Sequence, residues 1–371
     1  MDQPFAVKNA AKPRILVAPL DWGLGHATRC IPLVRLLLKQ GAEVILAGEG
    51  AQQILLTTEF PQLQFLALTG YNIRYPSSGK LMAWQMLVQS QKLFSIIKKE
   101  HKWLQEIVAT HKIDAVISDN RYGLYHPAIP CIFITHQLTI KSPFGKWTER
   151  LLQKRNYKYI NRFTQCWVPD NKEKSLAGDL SHPPQLPAVP VHYIGTLSRF
   201  KKTKIAEIKD HLLIVLSGPE PQRTLLENKL LPQISQYNGT ATIVRGLPGN
   251  HNIIPSSNMI RCYNHLSADE LNTEMEKADV VISRSGYSTV MDLATLQKKS
   301  ILIPTPGQTE QEYLADYLSE KGWAAVASQK GFSLIQELKK VKQSSQRFDF
   351  SDDGSDQLIN SIQPFVASLR Q

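Results

Sequence analysis

The chain has 371 residues, 42% hydrophobic and 20% charged, a balance that excludes a disordered or fibrous protein. It is longer than one hydrophobic core usually covers, so two domains of about 150–200 residues with a ligand cleft between them are expected. Lys and Arg total 43 against 32 Asp and Glu, and the net charge of +11 favours phosphates, nucleic acid or acidic headgroups as partners.

Short apolar runs alternate with longer helical patterns, the signature of parallel sheets covered by helices. In chain order, strands are expected at residues 14–19, 43–47, 64–68, 113–118, 131–135 and 165–168. A second set follows at 211–217, 241–245, 259–263, 279–283, 300–304 and 324–327. Between the sets, the prolines of residues 181–190 read as an extended linker, with the domain boundary near residue 200. The expected fold is therefore α/β, two Rossmann-like doubly wound domains, 1–200 and 201–371, facing a cleft. A helical pattern in residues 356–369 closes the chain and could pack on either domain. Residues 81–109 read as a core-facing helix, and residues 141–162 as a basic helix suited either to solvent or to an anionic membrane surface.

No apolar window reaches about 18 residues, so neither a signal peptide nor a membrane span is expected, and the location is expected to be cytoplasmic. Cys30, Cys131, Cys166 and Cys262 are widely separated and lack a C-x-x-C pair, which favours reduced structural thiols. A metal centre is not implied, because no ligand-spaced cluster is visible. Nucleic acid is not expected either, since no interleaved aromatic and basic recognition motif appears.

The first chemistry-bearing stretch is DWGLGHATRC, residues 21–30, between a strand and a helix. Gly23 and Gly25 suit a tight turn, and the free N–H groups of the following helix suit an anion or a reacting oxygen. A dinucleotide fingerprint would carry a third glycine where Thr28 stands. His26 at the helix start is kept neutral by the dipole and suits a general base, with Asp119, past another strand, as its carboxylate partner.

In the second half, residues 278–292 repeat the strand, small-residue turn and helix, and the N–H groups after Ser285 and Gly286 suit a diphosphate. Asp292, three residues after Thr289, reads as a capping box or as an acceptor for a sugar hydroxyl. Gln308, Gln311 and Glu312, with Glu310, crowd the next junction as donors and acceptors for a polyhydroxylated ligand. The loop Ser217-Gly218 through Arg223 follows the first strand of this half and suits phosphate.

With these pieces in view the chain resembles the GT-B glycosyltransferases, family 28 in particular, most clearly at ADVVISRSGYSTVMDLA and IPTPGQTEQEYLAD. The resemblance implies that Asp292 binds the donor ribose, that Gln311 and Glu312 read the sugar, and that Arg284, Ser285 and Gly286 lie beside the diphosphate. It places Ser217 and Gly218 at a glycine-rich loop and His136 in a strand-end loop on the acceptor side. GLGHATRC, with Arg29, is similar both to the family's acceptor loop and to the G-x-G-H-x-x-R turn of a related UDP-sugar hydrolase.

The expected function is inverting transfer of a sugar, N-acetylglucosamine or a related hexose, from a UDP-sugar to a hydroxyl of a lipid or lipopolysaccharide-type acceptor. His26 would deprotonate the acceptor, while Arg284, Arg223 and the helix start at Ser285 would stabilise the leaving diphosphate. No cofactor is implied beyond the nucleotide-sugar itself. The alternatives are a UDP-sugar hydrolase, a nucleotide-sugar epimerase, and a non-enzymatic nucleotide or nucleic-acid binding protein.

Overall fold

A computed structural model describes residues 12–71, 82–250, 254–349 and 355–370. The first apolar run forms β1 (Arg14–Pro19), buried along nearly its whole length, as a central parallel strand requires. It leads through residues 20–24 into α1 (Gly25–Lys39), whose Ala27, Cys30, Ile31, Val34 and Leu37 recur at helical spacing and are buried. There follow β2 (Glu43–Gly48), α2 (Gly50–Glu59), β3 (Gln64–Ala67), α3 (Met82–His111), β4 (Ala115–Asp119), β5 (Cys131–Ile134), α4 (Lys146–Ile160), β6 (Gln165–Val168) and β7 (Val191–Tyr193).

These seven strands form one parallel sheet in the order β3-β2-β1-β4-β5-β6-β7. Its order reverses between β1 and β4, where Pro19 stands opposite Asp119, so the loops leaving these strands open a crevice at their carboxyl ends.

The second sheet is built from β8 (Ile208–Val215), β9 (Thr240–Val244), β10 (Ile260–Tyr263), β11 (Ala278–Ser283), β12 (Ser300–Leu302) and β13 (Ala325–Val326). All pairings are parallel, in the order β10-β9-β8-β11-β12-β13. Its switch point lies between β8 and β11. The helices are α5 (Gln222–Ile234), α6 (Ala268–Lys277), α7 (Tyr287–Thr295), α8 (Thr309–Glu320), α9 (Leu334–Gln343) and α10 (Ser355–Ser368).

Each of the twelve expected strands has a counterpart, and β7 is an addition. It corrects the reading of residues 181–190 as the link between domains. The Pro190 carbonyl accepts from Cys166 N (2.9 Å), and β7 then pairs with β6 as a three-residue edge strand. The connection between the sheets is residues 194–207.

One apolar cluster runs through both lobes, joining α1 residues such as Leu33 to α7 residues such as Val290 and Met291, and to Ile362 and Val366 of α10. The α10 helix lies against the first lobe, where Phe365 meets Trp167 edge to face at 5.4 Å. The four cysteines are free and buried. Among the described residues no helix is long and apolar enough to cross a membrane.

Candidate active site

The turn between β1 and α1 needs glycine at two places for different reasons. Gly23 has a φ of +79°, the left-handed region that costs an L side chain about 1–2 kcal/mol. Gly25 is a point of close approach, since a Cβ there would lie 3.1 Å from Ser288 Oγ on α7. The Ser288 hydroxyl donates to the Gly25 carbonyl at 2.8 Å, which brings the amino ends of α1 and α7 together across the cleft. Their dipoles therefore point at one place.

His26, second residue of α1, lies beside Asp119 at the end of β4, with Nδ1 3.2 Å from Oδ2. One turn further on, Arg29 donates through Nε to Asp119 Oδ2 (2.7 Å) and through Nη2 to Oδ1. The same guanidinium reaches His26 Nδ1 (Nη2, 2.8 Å) and His136 Nδ1 (Nη1, 3.2 Å). His136 closes the group from the loop after β5, its Nε2 2.7 Å from Glu310 Oε1 at the start of α8 in the other lobe. Its ring stacks on Tyr287 at 4.2 Å, and the Tyr287 hydroxyl donates to the Pro169 carbonyl at 2.8 Å.

Arg29 and Asp119 are only 2% and 1% exposed, so their charges survive through each other. Burial pushes the Asp119 carboxyl up, but Arg29 and then His26 outweigh it and hold it well below the usual carboxylate range. His26 is lowered, first by burial and then by the Arg29 charge, so its ring is neutral at neutral pH. Burial also opposes ionisation of Glu310, but His136 leaves its pKa lowered on balance.

On the second lobe the Ser285 hydroxyl donates to the Gln311 carbonyl (2.7 Å), and Gln311 Oε1 accepts from Thr305 N (2.9 Å). The amide nitrogen of Gln311 is then turned toward Gly286, 3.9 Å from where a Cβ would stand. Gln308 Oε1 and Thr305 Oγ1 are buried without a hydrogen-bond partner among the described residues. A polar ligand at the start of α8 would complete them. Gly218 has a φ of +100° and open space around it, and Thr289 is half-buried in the first turn of α7.

Four expectations need correction. Arg284 does not face the cleft as a free cation, because its guanidinium donates to the carbonyls of Ile303 (3.2 Å), Pro304 (3.2 Å) and Gln222 (2.8 Å). Burial pushes it down to about 10. Arg223 is held by Glu220 (2.6 Å) and Glu227 (2.9 Å), so its charge is already matched. Asp292 is not part of a capping box, since α7 begins at Tyr287 after Gly286; it accepts from the Ser198 hydroxyl (2.7 Å), with Arg199 Nε 3.8 Å away. Glu312 Oε1 accepts from Gly307 N (2.8 Å), tying down the loop before α8.

Three contributors were not assigned in the sequence reading: Tyr287 as the platform under His136, Ser288 as the bridge to Gly25, and Glu310 as the partner of His136. Only Glu310 left a signal, its place in the first turn of a helix, where the dipole alone accounts for an acid.

Two parallel sheets with both switch points opening on one cleft define the GT-B fold. Comparison with known proteins carries this further. The profile described as "Glycosyltransferase family 28 C-terminal domain" matches residues 262–359. The UDP-N-acetylglucosamine--N-acetylmuramyl-(pentapeptide) pyrophosphoryl-undecaprenol N-acetylglucosamine transferase of Haemophilus ducreyi is 23% identical over 320 residues, 83% of each chain. Among solved structures, the glycotransferase of kitacinnamycin aligns with a TM-score of 0.61 at 13% identity, over 97% of this chain and 94% of its own. MurG of Acinetobacter baumannii aligns with a TM-score of 0.53 at 13% identity, over 96% of this chain and all 100% of its own. The chain is a family 28-like glycosyltransferase of the GT-B fold.

Proposed function

We propose that this chain is an inverting transferase that moves a sugar, N-acetylglucosamine first among candidates, from a UDP-sugar to a hydroxyl of a lipid-linked acceptor. The observation that carries this reading is the meeting of the two helix amino ends at the Ser288 to Gly25 contact, with His26 on one and the Ser285–Gly286 turn on the other. The donor and acceptor classes are supported by what the Haemophilus relative is named for.

In this reading the donor diphosphate lies at the amino end of α7, where backbone N–H groups and the helix dipole meet the charge that develops as the sugar leaves. Gln311 and Gln308 offer hydrogen bonds to sugar hydroxyls, Glu312 holds the loop before α8, and Asp292 takes the ribose by exchanging or sharing its Ser198 contact. His26 removes the proton of the attacking hydroxyl through Nε2, with Asp119 accepting from Nδ1–H as the ring becomes charged. Arg284 and Arg223 shape the donor loops and have no direct part in stabilising the diphosphate.

The acceptor side bears a second feature in keeping with a lipid. Phe144, Trp147 and Leu151 are 66%, 74% and 56% exposed at successive turns in and before α4, flanked by exposed Lys146, Arg150, Lys154 and Lys158. Such a face suits the surface of an anionic membrane, with aromatic and aliphatic groups at the headgroup level and cations toward the phosphates. The chain would then work as a peripheral protein at the inner face of the cell membrane.

The test is UDP release from UDP-N-acetylglucosamine by purified protein with and without host membrane lipid. Release that requires the lipid supports the transferase, and release indifferent to it overturns this reading in favour of a UDP-sugar hydrolase. His26→Ala is expected to abolish release while sparing UDP binding.

A further inference from the structure

The proton positions in the buried cluster can be worked out from what each group is able to donate. An arginine guanidinium has five N–H groups and no acceptor. The two Arg29 contacts to His26 Nδ1 (2.8 Å) and His136 Nδ1 (3.2 Å) therefore require each Nδ1 to offer a lone pair. Both rings then carry their hydrogen on Nε2. For His136 this is self-consistent, because Nε2–H donates to Glu310 Oε1 at 2.7 Å. For His26 it sets two functions against each other. A general base needs its lone pair on Nε2 and its hydrogen on Nδ1, where Asp119 Oδ2 waits at 3.2 Å, yet Arg29 occupies Nδ1 at the shorter distance.

We propose that Arg29 is a positioning residue that holds His26 in the Nε2–H form, as a hydrogen-bond donor to the cleft, and that His26 becomes a base only when Arg29 releases Nδ1 to Asp119. The release is coupled to the second lobe. Arg29 is steadied at Nη1 by His136, and His136 by Glu310, which stands at the start of the helix carrying Gln311 and Glu312. An anionic donor arriving at α8 competes with the Glu310 carboxylate. Loss of the Glu310 contact frees His136 to turn, and removes one anchor of the guanidinium. The base is thereby formed when the donor is in place, which limits attack by water on an incomplete complex.

The charged and titratable groups facing His26 are Arg29 on its own helix, Asp119 on β4, His136 after β5 and Glu310 on α8. Removing the Arg29 charge takes away one of the two largest influences lowering the His26 pKa, burial being the other. The acid limb of the rate profile should then move to higher pH. The inference rests on the proposed function only in taking His26 as the base, and its first test needs no turnover.

That test is nitrogen-15 NMR of the histidine rings in the full chain without substrate. The expected result is Nε2–H for both His26 and His136, with assignments made through His26→Gln and His136→Gln. An Nδ1–H tautomer at His26 in the parent protein overturns the proposal outright, whatever the enzyme transfers. In Arg29→Lys, which keeps a cation for Asp119 but cannot fork to two rings, the His26 tautomer should reverse, and in Arg29→Gln, which removes the charge, the acid limb should shift upward. An unchanged tautomer in a folded Arg29→Lys protein also overturns it. Should that variant not fold, Glu310→Gln with added UDP serves instead. The expected gain of Nδ1–H at His26 supports the coupling, and a His26 ring that keeps Nε2–H at every UDP concentration rejects it.

Discussion

Replacing Asp292 with Asn measures how much stability the second lobe gives up to keep a carboxylate on α7. Asp292 is buried, accepts from the Ser198 hydroxyl at 2.7 Å and has Arg199 Nε 3.8 Å away. Burial pushes its carboxyl up to about 6, since Arg199 and Ser198 offset only part of the lost hydration. An unfolded chain releases the same proton near pH 3.9. Between these values the folded protein holds a proton that the unfolded one has lost, so stability falls as pH rises. The gap of about two pKa units corresponds to about 3 kcal/mol, fully present below about pH 4 and gone above about pH 7. Asn keeps an acceptor for Ser198 and never ionises. Asp292→Asn should therefore melt several degrees above the parent at pH 8, at about 2–4 °C per kcal/mol for a lobe of this size, and lose most of that advantage at pH 4.5. Scanning calorimetry of both proteins at the two pH values reads the effect directly. A melting difference that is the same at both would refute the assignment of the proton to Asp292. The same variant should bind UDP more weakly in titration calorimetry if the carboxylate takes the ribose.

Three further outcomes separate structural from functional roles. Gly23→Ala forces an L side chain to a φ of +79° and should cost about 1–2 kcal/mol in urea unfolding, although nothing lies within 4 Å of the new Cβ. A loss under about 0.3 kcal/mol would show that the turn relaxes. Arg223→Met leaves Glu220 half-exposed and on Thr224 N, and Arg245 on Glu227 at 2.5 Å, so it should lower stability by less than the roughly 3–5 kcal/mol of a fully broken buried pair. Its KM for the UDP-sugar should be unchanged, and a KM raised tenfold would return Arg223 to the diphosphate. Trp147→Ser combined with Leu151→Ser should weaken co-sedimentation with phosphatidylglycerol vesicles at least tenfold, about 1.4 kcal/mol, with UDP binding intact. Equal sedimentation of parent and variant would remove α4 from the membrane contact.

The architecture was legible because its signals are local. Apolar runs such as residues 14–19 and 278–283 are flanked by small-residue turns and helical patterns, and these two strands are buried on both faces, which leaves no alternating pattern to confuse with an exposed sheet. The glycines of the first turn, His26 after them and Asp119 at the end of β4 were readable for the same reason. The β7 strand was not, because its three residues follow prolines and lie at the sheet edge, where neither length nor burial marks a strand.

The fate of the arginines shows why the site itself was only half readable. Arg29, Arg223 and Arg284 all sit at or just before the starts of helices, within the first two turns, and nothing in residue type distinguishes them. What separates them is the set of acceptors that tertiary structure brings to each. Arg284 meets three carbonyls, 19, 20 and 62 residues away, and becomes a clamp. Arg223 meets two glutamates of its own helix region and is neutralised. Arg29 meets a carboxylate 90 residues away and two imidazoles, groups whose protonation it can set. A guanidinium surrounded by carbonyls can only hold a loop, whereas one shared between an acid and two histidines couples their proton positions. The chemistry of this cleft therefore depends on long-range partners more than on the identity of its cations, and Arg29 is where that dependence reaches His26.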